Sequence, residues 1–207
     1  PPPAGGGHRA QLRAGRHEHN FTGATATIRV AAGNLYTYVY LDPDFPPQAL
    51  MLQWHAGGSF EHRAYWGPDL IQLGTNGTTS RFQVAPLLPP TGRWIRLTID
   101  PASIGIDQNS PIDGVSFTLF DGRAAYGPTG VAAAGGDTPW FSSLLPAGAT
   151  QGGDYPWEFL SDNDLWAPFE PSLGVAPPNA TIPLVETLRD DAALGVLSSV
   201  ERTQVDA

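Results

Sequence analysis

The chain has no cysteine, no lysine and a single methionine in 207 residues. Without cysteine there is no disulfide framework, no thiol nucleophile and no thiolate metal site. Without lysine all 11 basic residues are arginine, and against 20 acidic residues they leave a net charge of −9. That balance disfavours nucleic acid and anionic membranes as partners, because both carry the same sign. No apolar run is long enough to cross a bilayer, so membrane insertion is not expected. Helix-like spacing is confined to 186–200, at Leu188, Ala192 and Leu197. The chain opens at Pro1 with neither Met nor a leader. A removed export signal, and with it a secreted or cell-surface location, is the expectation.

What the chain does hold is 24 Gly, 21 Pro and a 41% hydrophobic fraction, the make-up of short extended segments parted by turns. The clearest strand is Leu35-Tyr36-Thr37-Tyr38-Val39-Tyr40-Leu41. Leu35, Thr37, Val39 and Leu41 share one face and the three tyrosines the other. Asp42-Pro43-Asp44-Phe45-Pro46-Pro47 ends it, since proline cannot donate to a ladder. Leu50–His55 and Phe60–Trp66 form a hairpin pattern about Gly57-Gly58. Further strands are expected at 17–21, 24–30, 80–84, 94–99 and 115–120. Regular spacing of short strands predicts an all-β fold, an antiparallel β-sandwich or jelly roll with a C-terminal strand-donating extension.

Four regions follow: an N-terminal arm (1–15), a sandwich body (16–130), a linker with completing or donor strands (131–170) and a C-terminal extension (171–207). The small-residue run Val131-Ala132-Ala133-Ala134-Gly135-Gly136 reads as a linker. Beyond it lie the aromatic segments Trp140-Phe141 and Tyr155-Pro156-Trp157-Glu158-Phe159. The body ends before its sheets are closed, leaving backbone groups that another strand must cover. Residues 138–170 supply that strand, either to their own body or to a neighbour's. In the extension, 171–178 reads as a stiff linker, 179–185 as a strand and 186–200 as a helix.

Several constellations carry candidate chemistry. His17 and His19, two apart on a strand, project from one face and with His8, His55 or His62 are candidates for Zn or Cu; a structural use of these imidazoles is the competing reading. Asp42, Asp44 and Asp121 sit near turns, where carboxylates hold a structural Ca²⁺ in many sandwich folds; Asp also favours turns for its own sake. Tyr36, Tyr38, Tyr40 and Trp66 are candidates for a glycan platform, weighed against a buried layer or a subunit interface. In Glu61-His62-Arg63, alternation puts Glu61 and Arg63 on one side as an ion pair and turns His62 away. Serine has no nucleophile-elbow context and no carboxylate pair stands out, so catalysis is not expected. Asn20, Asn76 and Asn179 head N-glycosylation sequons.

The blocks Tyr38–Pro43, Met51–Trp54, Glu61-His62-Arg63-Ala64-Tyr65-Trp66-Gly67 and Phe117–Gly122 resemble a bacterial extracellular β-sandwich module, similar to carbohydrate-binding jelly rolls and often found in tandem. The resemblance covers roughly 8–130 and 138–170. In such modules a segment like Trp140–Ala149 opens the domain and one like His17–Thr25 follows; here that order is reversed, as in a circular permutation. The resemblance implies no established chemistry. Joined to the open-sandwich argument, it gives the leading expectation: a non-catalytic extracellular subunit that binds copies of itself head-to-tail into a filament. Trp140, Phe141, Leu144, Leu145, Trp157, Phe159, Trp166 and Phe169 would be its assembly anchors. The alternative is a monomeric module that binds polysaccharide.

Overall fold

In a computed structural model, which describes residues 1–169, the chain forms an antiparallel β-sandwich of two sheets. The strands are β1 (Gly7–Arg9), β2 (Arg16–Thr22), β3 (Ile28–Arg29), β4 (Asn34–Leu41), β5 (Ala49–Ala56), β6 (Ser59–Trp66), β7 (Phe82–Ala85), β8 (Trp94–Ile99), β9 (Pro111–Phe120), β10 (Ala124–Ala133), β11 (Gly136–Phe141), β12 (Thr150–Gly153) and β13 (Glu158–Leu160). One sheet runs β13-β1-β10-β4-β8, with β11 also on β10; the other runs β12-β2-β9-β5-β6-β7, with β3 on β9. The sole parallel pairing named among them joins β6 to β7. The expected linker, strand and helix beyond Pro171 lie outside the described residues.

Alternation along each strand builds the core between the sheets. Leu35, Val39 and Leu41 of β4 meet Leu50, Leu52 and Trp54 of β5 and Val115, Phe117 and Leu119 of β9, all buried. The outer side of β5, β9, β2 and β6 carries a closely packed polar band beside an apolar patch of Ala49, Met51, Tyr65 and Ile71. Glu18 Oε2 accepts from Gln53 Nε2 at 3.1 Å, Ser116 Oγ at 3.1 Å and Thr118 Oγ1 at 3.0 Å, and Gln53 Oε1 accepts from Arg63 Nε at 2.7 Å. Every member has a partner, which lets Gln53, Ser116 and Thr118 be buried without stranding a polar group.

Two regions depart from the sequence expectations. Residues 7–9 belong to the sheet rather than to an arm: β1 lies between β10 and β13, and His8 is fully buried. The run 131–136 is no linker either. β10 and β11 join through Ala134-Gly135 as a tight hairpin, with Ala133 opposite Gly136 and Val131 opposite Thr138. Small side chains suit this close approach; a Cβ at Gly130 would meet the Thr138 carbonyl. Residues 136–141 are therefore bound to their own chain by the turn that makes them.

Candidate functional site

The late strands close both sheets at their outer edges. β12 adds to β2, with Thr150 opposite Thr22 and Gly153 opposite His19. β13 adds to β1, with His8 opposite Phe159 and Arg9 opposite Glu158. Here both seats are filled from the same chain. The segment is further tied by an Arg9–Glu158 ion pair, by Asp162 accepting from the Gly5 and Gly6 amides, and by Trp94 Nε1 donating to the Leu165 carbonyl at 2.7 Å.

Of the eight expected anchors, six pack on their own body. Trp157 and Phe141 are buried, Phe169 is buried against Tyr40 and Arg123, and Trp140, Leu145 and Phe159 are partly buried. Leu144 and Trp166 instead face solvent, at 75% and 73% exposure. Trp157 is the centre of the seat. Its ring lies 4.5 Å from that of His8 and 4.7 Å from that of His19, and its Nε1 donates to the Asn20 carbonyl at 2.8 Å.

Three of the histidines form a hydrogen-bonded relay through Tyr155. His17 Nε2 is 3.4 Å from the Asp121 carbonyl, His17 Nδ1 is 3.1 Å from the Tyr155 hydroxyl, and His19 Nδ1 is 3.3 Å from that same hydroxyl. His19 Nε2 then meets His8 Nδ1 at 2.9 Å. A carbonyl can only accept, and this assigns every tautomer in turn. His17 donates through Nε2, so its Nδ1 accepts from Tyr155. The Tyr155 oxygen accepts from His19 Nδ1–H, so His19 Nε2 accepts from His8 Nδ1–H. His8 Nε2 is left bare, buried and without a hydrogen-bond partner, as is the Tyr126 hydroxyl.

Burial lowers the pKa of all three imidazoles. It is the first cause for His8, reinforced by His19, and it brings His19 to about 3, with His17 adding to the effect. His17 is lowered less emphatically: burial leads, while the Asp121 carbonyl and Asp154 pull the other way. Burial likewise raises Tyr155 and Tyr126. Rings of Phe117, Tyr126, Phe141 and Trp157 enclose His8. Among the described residues no group of three metal-ligating side chains comes together.

The Asp candidates are engaged in turns. Asp42 accepts from Arg123 Nε and from the Asp44 amide at 2.9 Å. Asp121 accepts from the Gly15 amide and from Gln48 Nε2. The aromatic candidates do not lie as one open platform. Tyr36 and Trp66 are buried at 2% and 5% exposure; Trp66 faces the core, and Arg96 sits over the Tyr36 ring at 4.5 Å. Burial, with Asp137 nearby, raises the Tyr36 hydroxyl to about 12. Tyr38 and Tyr40 are half-buried, and Tyr40 packs on Trp94 and Phe169. Tyr40 and Trp94 are covered by 161–169, which carry Leu165 and Phe169 onto that face of their sheet.

In the Glu61–Gly67 run, Arg63 holds Glu61 through two hydrogen bonds at 2.9 and 3.0 Å, and His62 turns away to the Ile104 carbonyl at 2.8 Å, as alternation requires. What the sequence did not reveal was the direct bond of His8 to His19, eleven residues away, and of His17 and His19 to Tyr155. His8 and His19 meet only because β1 and β2 lie in opposite sheets facing one core. Comparison of the chain with protein-family models, with curated proteins and with solved structures gave no match.

Proposed function

We propose that this chain is a non-catalytic structural subunit of an extracellular assembly, joined to copies of itself head-to-tail by exchange of residues 142–169. One observation supports this above the rest. The two strands of that segment take outermost positions on the two sheets, and the chain reaches them through 142–149, after the β10–β11 hairpin has closed. An edge seat offers the same ladder and the same aromatic pocket whichever chain fills it. A lone chain fills it at home; in the assembly each subunit fills its neighbour's. Because the donor differs from the acceptor surface, such contacts propagate rather than close.

The absence of cysteine makes a clean test. Facing residues of an antiparallel pair lie within disulfide reach, so Thr22→Cys with Thr150→Cys bridges β2 to β12. Oxidation of concentrated material should give a ladder of covalent multimers on a non-reducing gel. A single chain-sized band from such material would mean that the segment stays at home, and the exchange reading fails.

A second reading, glycan binding, is favoured by a cleft at the Tyr40 end of the tyrosine strand. Exposed Trp166 borders a shallow cleft of about 340 Å³ with Trp94, Tyr40 and Arg93. Trp166→Ala is expected to weaken polysaccharide retention about two- to twelvefold in affinity electrophoresis, given about 0.5–1.5 kcal/mol for one lost ring stack. Unchanged mobility across neutral and uronate glycans removes this reading.

A further inference from the structure

We propose that the His17–Tyr155–His19–His8 relay is a proton-operated latch, in which proton uptake by its buried imidazoles releases residues 142–160 from the body. Tyr155 and Trp157 belong to the short connection between β12 and β13, and they meet the relay directly: Tyr155 through two hydrogen bonds, Trp157 through ring contacts with His8 and His19.

The geometry leaves an added proton no good place. Each nitrogen of the relay except His8 Nε2 either carries a proton or accepts one. Protonating an accepting nitrogen breaks the bond it receives. Protonating His8 Nε2 creates a buried cation among four aromatic rings with no acceptor in reach. Solvent resolves the conflict once Tyr155 and Trp157 leave, because they and their strands cover the imidazoles.

Charged and titratable neighbours do not cancel the effect. Asp154 and the Asp121 carbonyl favour a proton on His17 and Arg13 opposes it; Arg13 lies over the Tyr155 ring at 5.4 Å, and Glu18 acts on Tyr155. His8 and His19 face other imidazoles and the Tyr126 and Tyr155 rings, and no carboxylate is among the groups that shift them. The acid response therefore rests chiefly on His8 and His19.

The sign follows from linkage. An imidazole held below its open-state value near 6.5 binds more protons when released, so the closed form is fully favoured above that pH and loses ground below it. For His19 the loss continues down to about pH 3. Each such imidazole raises the open-to-closed ratio about tenfold per pH unit through this window. On the exchange reading above, acid would free the segment for a neighbour, but the latch is measured inside one chain.

Hydrogen exchange by mass spectrometry, corrected for the intrinsic pH dependence of amide exchange, tests it on the dilute intact chain. Peptides across 150–160 should lose protection about ten- to a hundredfold per pH unit from pH 6.5 to 4.5, while β5 peptides (49–56) keep theirs. His8→Phe, which suits the aromatic surroundings, should lower that slope by about one factor of ten per unit. Protection at 150–160 that stays within twofold across this range, or that falls together with 49–56, overturns the latch. A steep response without any covalent ladder in the cysteine test would keep the latch and discard exchange between chains.

Discussion

Trp157→Ala should cost about 3–5 kcal/mol of stability, measured by urea unfolding, the range for removing a large buried aromatic side chain. The indole is 8% exposed and its ring lies within 6.0 Å, centroid to centroid, of His8, His19, Phe21, Phe117, Phe141 and Phe159. Truncation also strands the Asn20 carbonyl that accepts its Nε1–H. The surroundings cannot collapse into the gap, since the rings on either side belong to different sheets. Trp166→Ala is the control: at 73% exposure its change should stay within about 0.5 kcal/mol. A loss below about 1 kcal/mol for Trp157→Ala would show that the late strands are held by their ladders and not by this ring.

Arg63→Ala should cost about 2–4 kcal/mol in the same measurement, while Glu61→Ala costs no more than about 1 kcal/mol. The asymmetry comes from burial. Arg63 is 6% exposed, and its guanidinium donates to Gln53 Oε1 at 2.7 Å and to the Ser80 carbonyl at 3.0 Å as well as to Glu61. Its removal leaves the buried Gln53 Oε1 and the partly buried Ser80 carbonyl unmet and opens the polar band that Glu18, Ser116 and Thr118 share with Gln53. The Glu61 side chain is 57% exposed, so water takes over its half of the ion pair. Arg63 lowers the Glu61 pKa by hydrogen bonding, but at that exposure the shift carries little stability. Equal losses for the two variants would place the energy in the ion pair itself.

How far the sequence spoke for itself depended on the range of each interaction. Alternation along β4 and the Gly57-Gly58 hairpin of β5 and β6 are local, and both were legible. So was the sharing of one side by Glu61 and Arg63, since a period of two is a property of neighbouring residues. The β10–β11 hairpin was hidden because Ala132-Ala133-Ala134-Gly135 has linker composition; its small residues serve close strand approach instead. Gly7–Arg9 was hidden for a different reason. A three-residue strand carries no periodicity of its own, and its partners lie at 125–126 and 158–160. The histidine relay inherits that difficulty: its links depend on the register of β1 and β2, fixed by strands about a hundred or more residues away. The burial of Tyr36 beneath Arg96 and of Trp66 in the core was not legible, because an aromatic on a strand looks the same to sequence whether its face is open or covered.

The position of β1 has a consequence for how the molecule is made. Residues 7–9 lie between β10 and β13, whose residues come more than a hundred positions later in the chain. During synthesis β1 must therefore wait for β10 before it has a flank to join, and β13 must wait for both. Closure of this edge rests on contacts of very long sequence separation, which are slow to form. Until residue 160 is in place the nascent chain carries a bare, aromatic-lined flank, the stage at which a folding helper would have most to shield.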